Sequence, residues 1–214
     1  MNYDAYIFDL DGTVLDTLPD LVNLTNMVLR EHGMPEHTSD EVNSYVGNGA
    51  RVLLQRAASA GASDEEIDAM LERWKGLYPE HGHAFTHPYA GMPETLDELK
   101  RRGAKLGVLS NKFDAATRSV IAKHYPGVFD IVRGESPETP RKPDPTGLLR
   151  MIADLGVLPA RVAYVGDSGG DMTVAVRAGA VPVGVSWGYR SVDDLREAGM
   201  RFLLESPGDL LNLP

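Results

Sequence analysis

The 214-residue sequence contains no cysteine, which excludes disulfides, thiolate metal sites and thiol nucleophiles together. Chemistry is left to carboxylates, Ser, Thr and His. Positive charge is also scarce: 21 Lys and Arg face 31 Asp and Glu, for a net charge of −10. Nucleic acid and anionic membrane surfaces are bound through clustered Lys and Arg, so neither is an expected partner. Any phosphate must then be handled by a few local groups. No run of about 18 apolar residues occurs, and no basic, apolar leader precedes the first strand-like segment; the expected location is the cytoplasm. Internal repeats and low-complexity stretches are missing too. What remains, at 43% hydrophobic residues, is enough for one sizeable core, or a core with a small second module.

Ala5 to Phe8 is a short apolar run that stops at Asp9, where the acids begin, and so reads as a buried strand. Similar runs recur at Leu106 to Leu109, Val162 to Val165 and Val181 to Val185. Helical patterns separate them, at Glu94 to Arg101, Ala115 to His124, Gly147 to Leu155 and Thr173 to Ala178. This alternation predicts an α/β fold with a mostly parallel sheet flanked by helices, whose ligands gather at the carboxyl ends of the strands.

Residues 16–87 break the alternation, with helix starts but no convincing strand. Leu18, Leu21, Val22, Thr25, Val28 and Leu29 follow the 3.6-residue period, with Gly33 as a stop. Thr38 with Glu41, and Ser63 with Glu66, have capping-box spacing. An all-helical insertion is expected here, between a core formed by residues 1–15 and 88–214. It is the more acidic part per residue. Its bases Arg51 and Arg56 are candidates to meet an anionic substrate, or else solvated helix-face residues.

Asp9 and Asp11 stand two apart at a strand end, where like charges repel unless a cation or a shared proton intervenes. A hard dication such as Mg²⁺ suits such oxygen ligands; a surface turn is the structural alternative. Gly12 and Thr13 favour the first reading, since Gly permits a tight reversal and exposed amides can approach a phosphate. A second acidic pair, Asp167 and Asp171, follows Val162 to Val165 in the stretch Gly166-Asp167-Ser168-Gly169-Gly170-Asp171, with a helix N-cap as the alternative for Asp171. Between the pairs lie Ser110-Asn111, directly after a strand, and Lys142 in a proline-rich loop. A hydroxyl and amides can bind phosphoryl oxygens, and a lysine can offset their charge.

DLDGT at 9–13, the strand ending in Ser110-Asn111, Lys142 before proline and GDSGGD at 166–171 occur in this order across nearly the whole chain. In these motifs the sequence resembles the haloacid dehalogenase superfamily, in its phosphoglycolate phosphatase-like branch. The resemblance implies a Rossmannoid core with a four-helix cap at 16–87. It further implies Asp9 as nucleophile and Asp11 as general acid and base. Mg²⁺ would be held by Asp9, the Asp11 backbone carbonyl and Asp167, with Asp171 in support. Ser110 and Asn111 would bind the substrate, and Lys142 would orient Asp9. The expected partner is a small phosphorylated metabolite, and the protein a monomer or homodimer.

Within that family, Asp11 argues against the dehalogenases, which lack the second acid. Lys75, the single lysine of residues 16–87, lies too far along its helix for the Schiff-base branch. Leu21 stands where the sugar phosphomutases carry a cap histidine. The Gly47-Asn48-Gly49 turn resembles the phosphoglycolate phosphatases and could bring amides to a small anion, or serve as a flexible helix–helix turn. Val185 to Tyr189 resembles a loop shared with related pyrophosphatases, which leaves pyrophosphate hydrolysis as an alternative, beside a non-catalytic binding module. His81, His83 and His87 read as a solvated hinge rather than a metal cluster, and Trp74 with Tyr78 as helix packing.

Overall fold

The computed structural model describes residues 3–214. In chain order the elements are β1 (Ala5–Phe8), β2 (Leu15–Asp16), α1 (Leu18–Glu31), α2 (Ser39–Tyr45), α3 (Ala50–Ala57), α4 (Asp64–His81), β3 (His87–Pro88), α5 (Met92–Arg101) and β4 (Lys105–Phe113). They continue with α6 (Asp114–His124), β5 (Ile131–Glu135), α7 (Thr146–Leu155), β6 (Val162–Gly166), α8 (Gly169–Ala178), β7 (Val181–Val185), α9 (Val192–Glu197) and β8 (Phe202–Leu204).

Six strands form one parallel sheet in the order β5-β4-β1-β6-β7-β8. The strands β1, β6 and β7 are buried along their full length, because helices cover both faces. Side chains alternate across a strand, so Tyr6 and Phe8 join a core with Met92, Leu96, Leu99 and Val120, while Ala5 and Ile7 join another with Leu148, Met151, Ile152 and Val174. Burying a side chain such as Ile7 or Phe8 contributes about 2–3 kcal/mol. Strand β1 has β4 on one side and β6 on the other. The chain therefore turns in opposite directions from β1, which opens a crevice at its carboxyl end.

Helices α1 to α4 have a separate apolar core built on Leu24, Val28, Leu54, Met70 and Trp74. Both capping boxes form, with Thr38 accepting from the Glu41 amide and Ser63 from the Glu66 amide. Two chain crossings join this helical layer to the sheet, and β2 and β3 pair antiparallel there. The second crossing is pinned by Asp20 at the start of α1. Its buried carboxylate accepts from the Ala84, Phe85 and Thr86 amides and from Thr86 Oγ1 at 2.6–3.1 Å.

The elements that sequence patterning did not single out are β2, β3, β5, β8, α3 and α9. The first two and β8 are two or three residues long, too short for a period to register. The edge strand β5 interrupts its apolar run with Arg133 and Gly134. Helix α8 begins at Gly169, ahead of the expected Thr173, because Ser168 rather than Asp171 is the N-cap. Of the three histidines expected in a solvated hinge only His87 is exposed: His81 is half-buried and His83 is buried, with Nε2 at 3.1 Å from Ser119 Oγ, while Ala84 and Phe85 after it are exposed. No helix among the described residues is long and apolar enough to cross a membrane.

Candidate active site

The carboxyl ends of β1, β4 and β6, with the loop from β5 to α7 that carries Lys142, bring Asp9, Asp11, Ser110, Lys142 and Asp167 onto one cavity, with Gly47, Gly49 and Asn111 also on its wall. Asp9 follows β1 directly, and its amide donates to the Val165 carbonyl of the neighbouring strand at 2.8 Å. The chain then reverses at Gly12, whose φ of +81° lies in the left-handed region. A side chain there would be doubly excluded, since a Cβ would sit 2.5 Å from Asp167 Oδ2. Gly188 is held to glycine for the second of these reasons alone: its Cβ would lie 2.2 Å from Asp167 Cβ.

Lys142 Nζ lies 2.7 Å from Asp9 Oδ1 and 2.7 Å from Asp171 Oδ1. Burial by itself pulls this ammonium down, but Asp171 and Asp9 outweigh it and hold Lys142 well above the ordinary lysine value. Asp171 is fully buried, and its carboxylate also accepts from Tyr164 Oη, the Ser168 amide and Ser168 Oγ. Both its oxygens are thus engaged, which makes it a holder of Lys142 and of the α8 N-terminus.

Asp9 is different. Burial drives its carboxyl well above the usual carboxylate range, Lys142 opposes this, and Asp171 and Asp167 add to the rise. Asp167 is pushed up to about 7, first by burial and then by Asp171. Its oxygens accept from Thr13 Oγ1 at 3.3 Å and from the Tyr189 amide at 2.7 Å. Oxygens of Asp9, Asp167 and Asp171 lie within 4.8 Å of one another. Three buried carboxylates with one buried ammonium among them leave an excess of negative charge, and a divalent cation with oxygen preference fits that deficit.

Asp11 also lines the cavity but has a separate set of partners. Its Oδ1 accepts from Thr17 Oγ1 at 2.6 Å and from Lys112 Nζ at 2.9 Å. Strand β4 shifts register between Leu109 and Phe113, and this irregular end presents Ser110, Asn111 and Lys112. Asn111 ties three segments together: Oδ1 accepts from the Lys142 amide, and Nδ2 donates to the Lys142 and Gly47 carbonyls.

The cations expected to approach from the helical layer do not reach the cavity. Arg51 binds Asp64 at 2.7 Å and Asp68 at 2.8 Å on the exposed side of α3 and α4, and Arg56 donates to the Tyr45 carbonyl. Each helix face supplies a nearer partner than the substrate side does. The Asn48 side chain is not on the cavity wall, and its carbonyl accepts from Arg141. Trp74, read as packing, is buried in the helical core and also lines the cavity with Leu21 and Leu53.

Three residues of the site escaped sequence reasoning. Lys112 follows Ser110-Asn111 immediately, but a lone lysine carries no pattern. Tyr189 gives its amide to Asp167, while Tyr189 Oη accepts from the Thr17 and Leu18 amides and donates to Asp16. Arg190 donates to the Asn43 and Val46 carbonyls. The only signal available was the Val185 to Tyr189 loop, which contains Tyr189 and ends one residue before Arg190.

A parallel sheet with two acid-bearing strand ends, a buried lysine between them and a layer of helices beside the cavity fits a hydrolase acting on phosphate esters. The chain belongs to the haloacid dehalogenase-like hydrolase family, which matches residues 6–185, and within it to the phosphatases. It is 33% identical over 208 residues to a phosphoglycolate phosphatase of Aquifex aeolicus, covering 97% of this chain and 94% of that protein. It is 29% identical to an N-acetylmuramic acid 6-phosphate phosphatase of Pseudomonas aeruginosa, covering 100% of this chain and 95% of the relative. The crystal structure of a predicted phosphoglycolate phosphatase from Haemophilus somnus 129PT superposes with a TM-score of 0.92 at 27% identity, over 99% of this chain and 98% of that one.

Proposed function

We propose that this phosphatase hydrolyses a small phosphomonoester, with 2-phosphoglycolate as the preferred substrate, through a phosphorylated Asp9. The observation that carries the reading is the convergence of Asp9, Asp11, Ser110, Lys142 and Asp167 on one cavity. The names of the relatives support the choice of substrate.

Asp9 attacks phosphorus as the bond to the ester oxygen breaks, and Asp11 gives that oxygen its proton. Asp11 then takes a proton from water, whose oxygen attacks phosphorus, releases phosphate and restores the Asp9 carboxylate. Ser110 holds phosphoryl oxygens, and Lys142 orients Asp9 and offsets charge. Mg²⁺ would be held by Asp9, Asp167 and the Asp11 backbone carbonyl, with Asp171 supporting through Lys142. When bound, it supplies charge neutralisation for the transferring group. Leu21 on the cavity wall has no proton to exchange, which favours hydrolysis over isomerisation.

Residues 16–87 act as a cap over the core formed by 1–15 and 88–214. Three successive carbonyls of one cap turn accept from core side chains: Val46 from Arg190 at 2.6 Å, Gly47 from Asn111 at 2.9 Å and Asn48 from Arg141 at 2.7 Å. This clasp ties the cap to the rim of the cavity, where closure over a bound substrate would limit the access of bulk water.

A phosphate-release panel of small phosphomonoesters and pyrophosphate tests the proposal. Release should require Mg²⁺ and be fastest, as kcat/KM, for 2-phosphoglycolate. Faster turnover of pyrophosphate would move the reading there, and silence across the panel with a folded protein would sink it.

Metal binding should also couple to pH. Asp167, raised from 3.8 to about 7, binds its proton more tightly folded than unfolded. Its contribution to stability is therefore full below the unfolded value and is lost as pH rises through about 7 in metal-free protein. A dication removes that loss by favouring the carboxylate. Mg²⁺ should raise the Tm of chelator-treated protein more near pH 8 than near pH 5.5. An equal rise at both would contradict Asp167 as a ligand.

A further inference from the structure

The reading above leaves unassigned a buried lysine that faces the cavity, Lys112. Among the described residues, three cations line the cavity: Lys112, Lys142 and Arg190. Lys142 is held between Asp9 and Asp171. Arg190 spends both terminal nitrogens on Asn43, Val46 and Tyr189 oxygens. Lys112 is less committed. Its ammonium has three protons, and it meets the two oxygens of a single carboxylate, Asp11, at 2.9 and 3.3 Å. Its other polar neighbour is the Tyr78 hydroxyl, whose ring centroid lies 5.4 Å from Nζ, so one of its three protons is left for a ligand.

The wall that the helical layer contributes offers no competing cation. Leu21, Val46, Ala50, Leu53 and Trp74 are its side chains, while Arg51 is paired with Asp64 and Asp68 outside. A second negative charge on the substrate would be buried against apolar surface without a counter-charge unless Lys112 received it.

The site also fixes how far away that charge lies. In-line attack by Asp9 sends the leaving oxygen to the side where Asp11 protonates it. Whatever is bonded to that oxygen stands beside Asp11, and Lys112 Nζ is 2.9 Å from Asp11. A carboxylate on the carbon attached to the leaving oxygen lies about 3 Å from it by ordinary bond lengths, within reach of the same ammonium. A charge across a sugar ring is not.

Resting on the phosphomonoesterase reading, the geometry points to Lys112 as the specificity-determining residue that binds this carboxylate, restricting the preferred substrates to phosphate esters of small 2-hydroxy acids. Lys112 thereby holds Asp11 and the leaving acid with one charge.

The test compares 2-phosphoglycolate with 2-hydroxyethyl phosphate, which replaces the carboxylate by a neutral hydroxymethyl group, using the full-length protein with Mg²⁺. Wild-type enzyme should favour the carboxylate by about 100-fold in kcat/KM. Lys112→Met and Lys112→Gln should slow both esters, because Asp11 loses a partner, yet lower the ratio by about 30-fold or more, chiefly through KM for 2-phosphoglycolate. Lys112→Arg should recover part of the ratio. A ratio within about threefold of wild type in the Met and Gln variants overturns the assignment, as does a wild-type enzyme indifferent to the carboxylate. Wild-type activity on p-nitrophenyl phosphate with none on either small ester also overturns it while leaving the phosphatase reading standing. No release from any of the three sinks that reading itself. Should the Met variant fail to fold, the Gln and Arg variants carry the comparison.

Discussion

Replacing Asp9 with Asn is expected to lower phosphate release by about 10⁴-fold or more, because the amide cannot take up the phosphoryl group. The fold should survive the change. Asn has nearly the shape of Asp, and the Asp9 carboxyl is raised well above its usual range by burial and by Asp171 and Asp167, so its charge is held under strain. Lys142 keeps Asp171 as a partner after the substitution. The thermal midpoint of the Asn variant in chelator should therefore equal or exceed that of the parent. Release at the parental rate would remove Asp9 from the role of nucleophile. A collapsed midpoint would show instead that Lys142 depends on Asp9 for its charge balance, and a single-turnover search for a phosphorylated protein would then decide the chemistry.

The fold and the acid cluster were legible because both rest on local patterns. Buried parallel strands read as short apolar runs, and β1, β6 and β7 lie where those runs are. Capping boxes are local too, and Thr38 with Glu41 needed only a spacing of three. Asp9, Asp11 and Asp167 were visible because two acids at a strand end make a poor structural choice without a counter-charge. What escaped was set by distant partners. Lys112 finds its meaning 101 residues away, in Asp11, and Tyr189 finds its own 173 residues away, in Asp16. Arg51 failed in the other direction. A lone arginine on a cap helix suggests an anion ligand, but Asp64 and Asp68 lie one helix away and take both of its bonding edges. Charge on a helix face is settled by the next helix, which periodicity does not reveal.

The largest effect on stability is expected at Lys142. Its Nζ lies 2.7 Å from both Asp9 and Asp171, and its side chain is 4% exposed. Lys142→Met keeps the aliphatic bulk and removes the charge, leaving Asp9, Asp167 and Asp171 facing one another in a buried site. Breaking such a pair from one side costs about 3–5 kcal/mol, since the remaining charges lose their compensation. Activity should fall by about 10³-fold as well, because Asp9 loses its orienting partner. The sign with pH follows from the same charges. Asp9 and Asp167 are already raised, and removing a cation raises them further, so the variant should lose more stability near pH 8 than near pH 5.5. Urea unfolding of the single and double variants separates this electrostatic account from a packing defect. Adding Asp9→Asn to Lys142→Met removes one of the stranded carboxylates and should recover at least about 1 kcal/mol of the loss near pH 8. Additive losses would mean that Lys142 contributes through its fit among Tyr164 and its neighbours, and that the charge between the two acidic strand ends is balanced elsewhere.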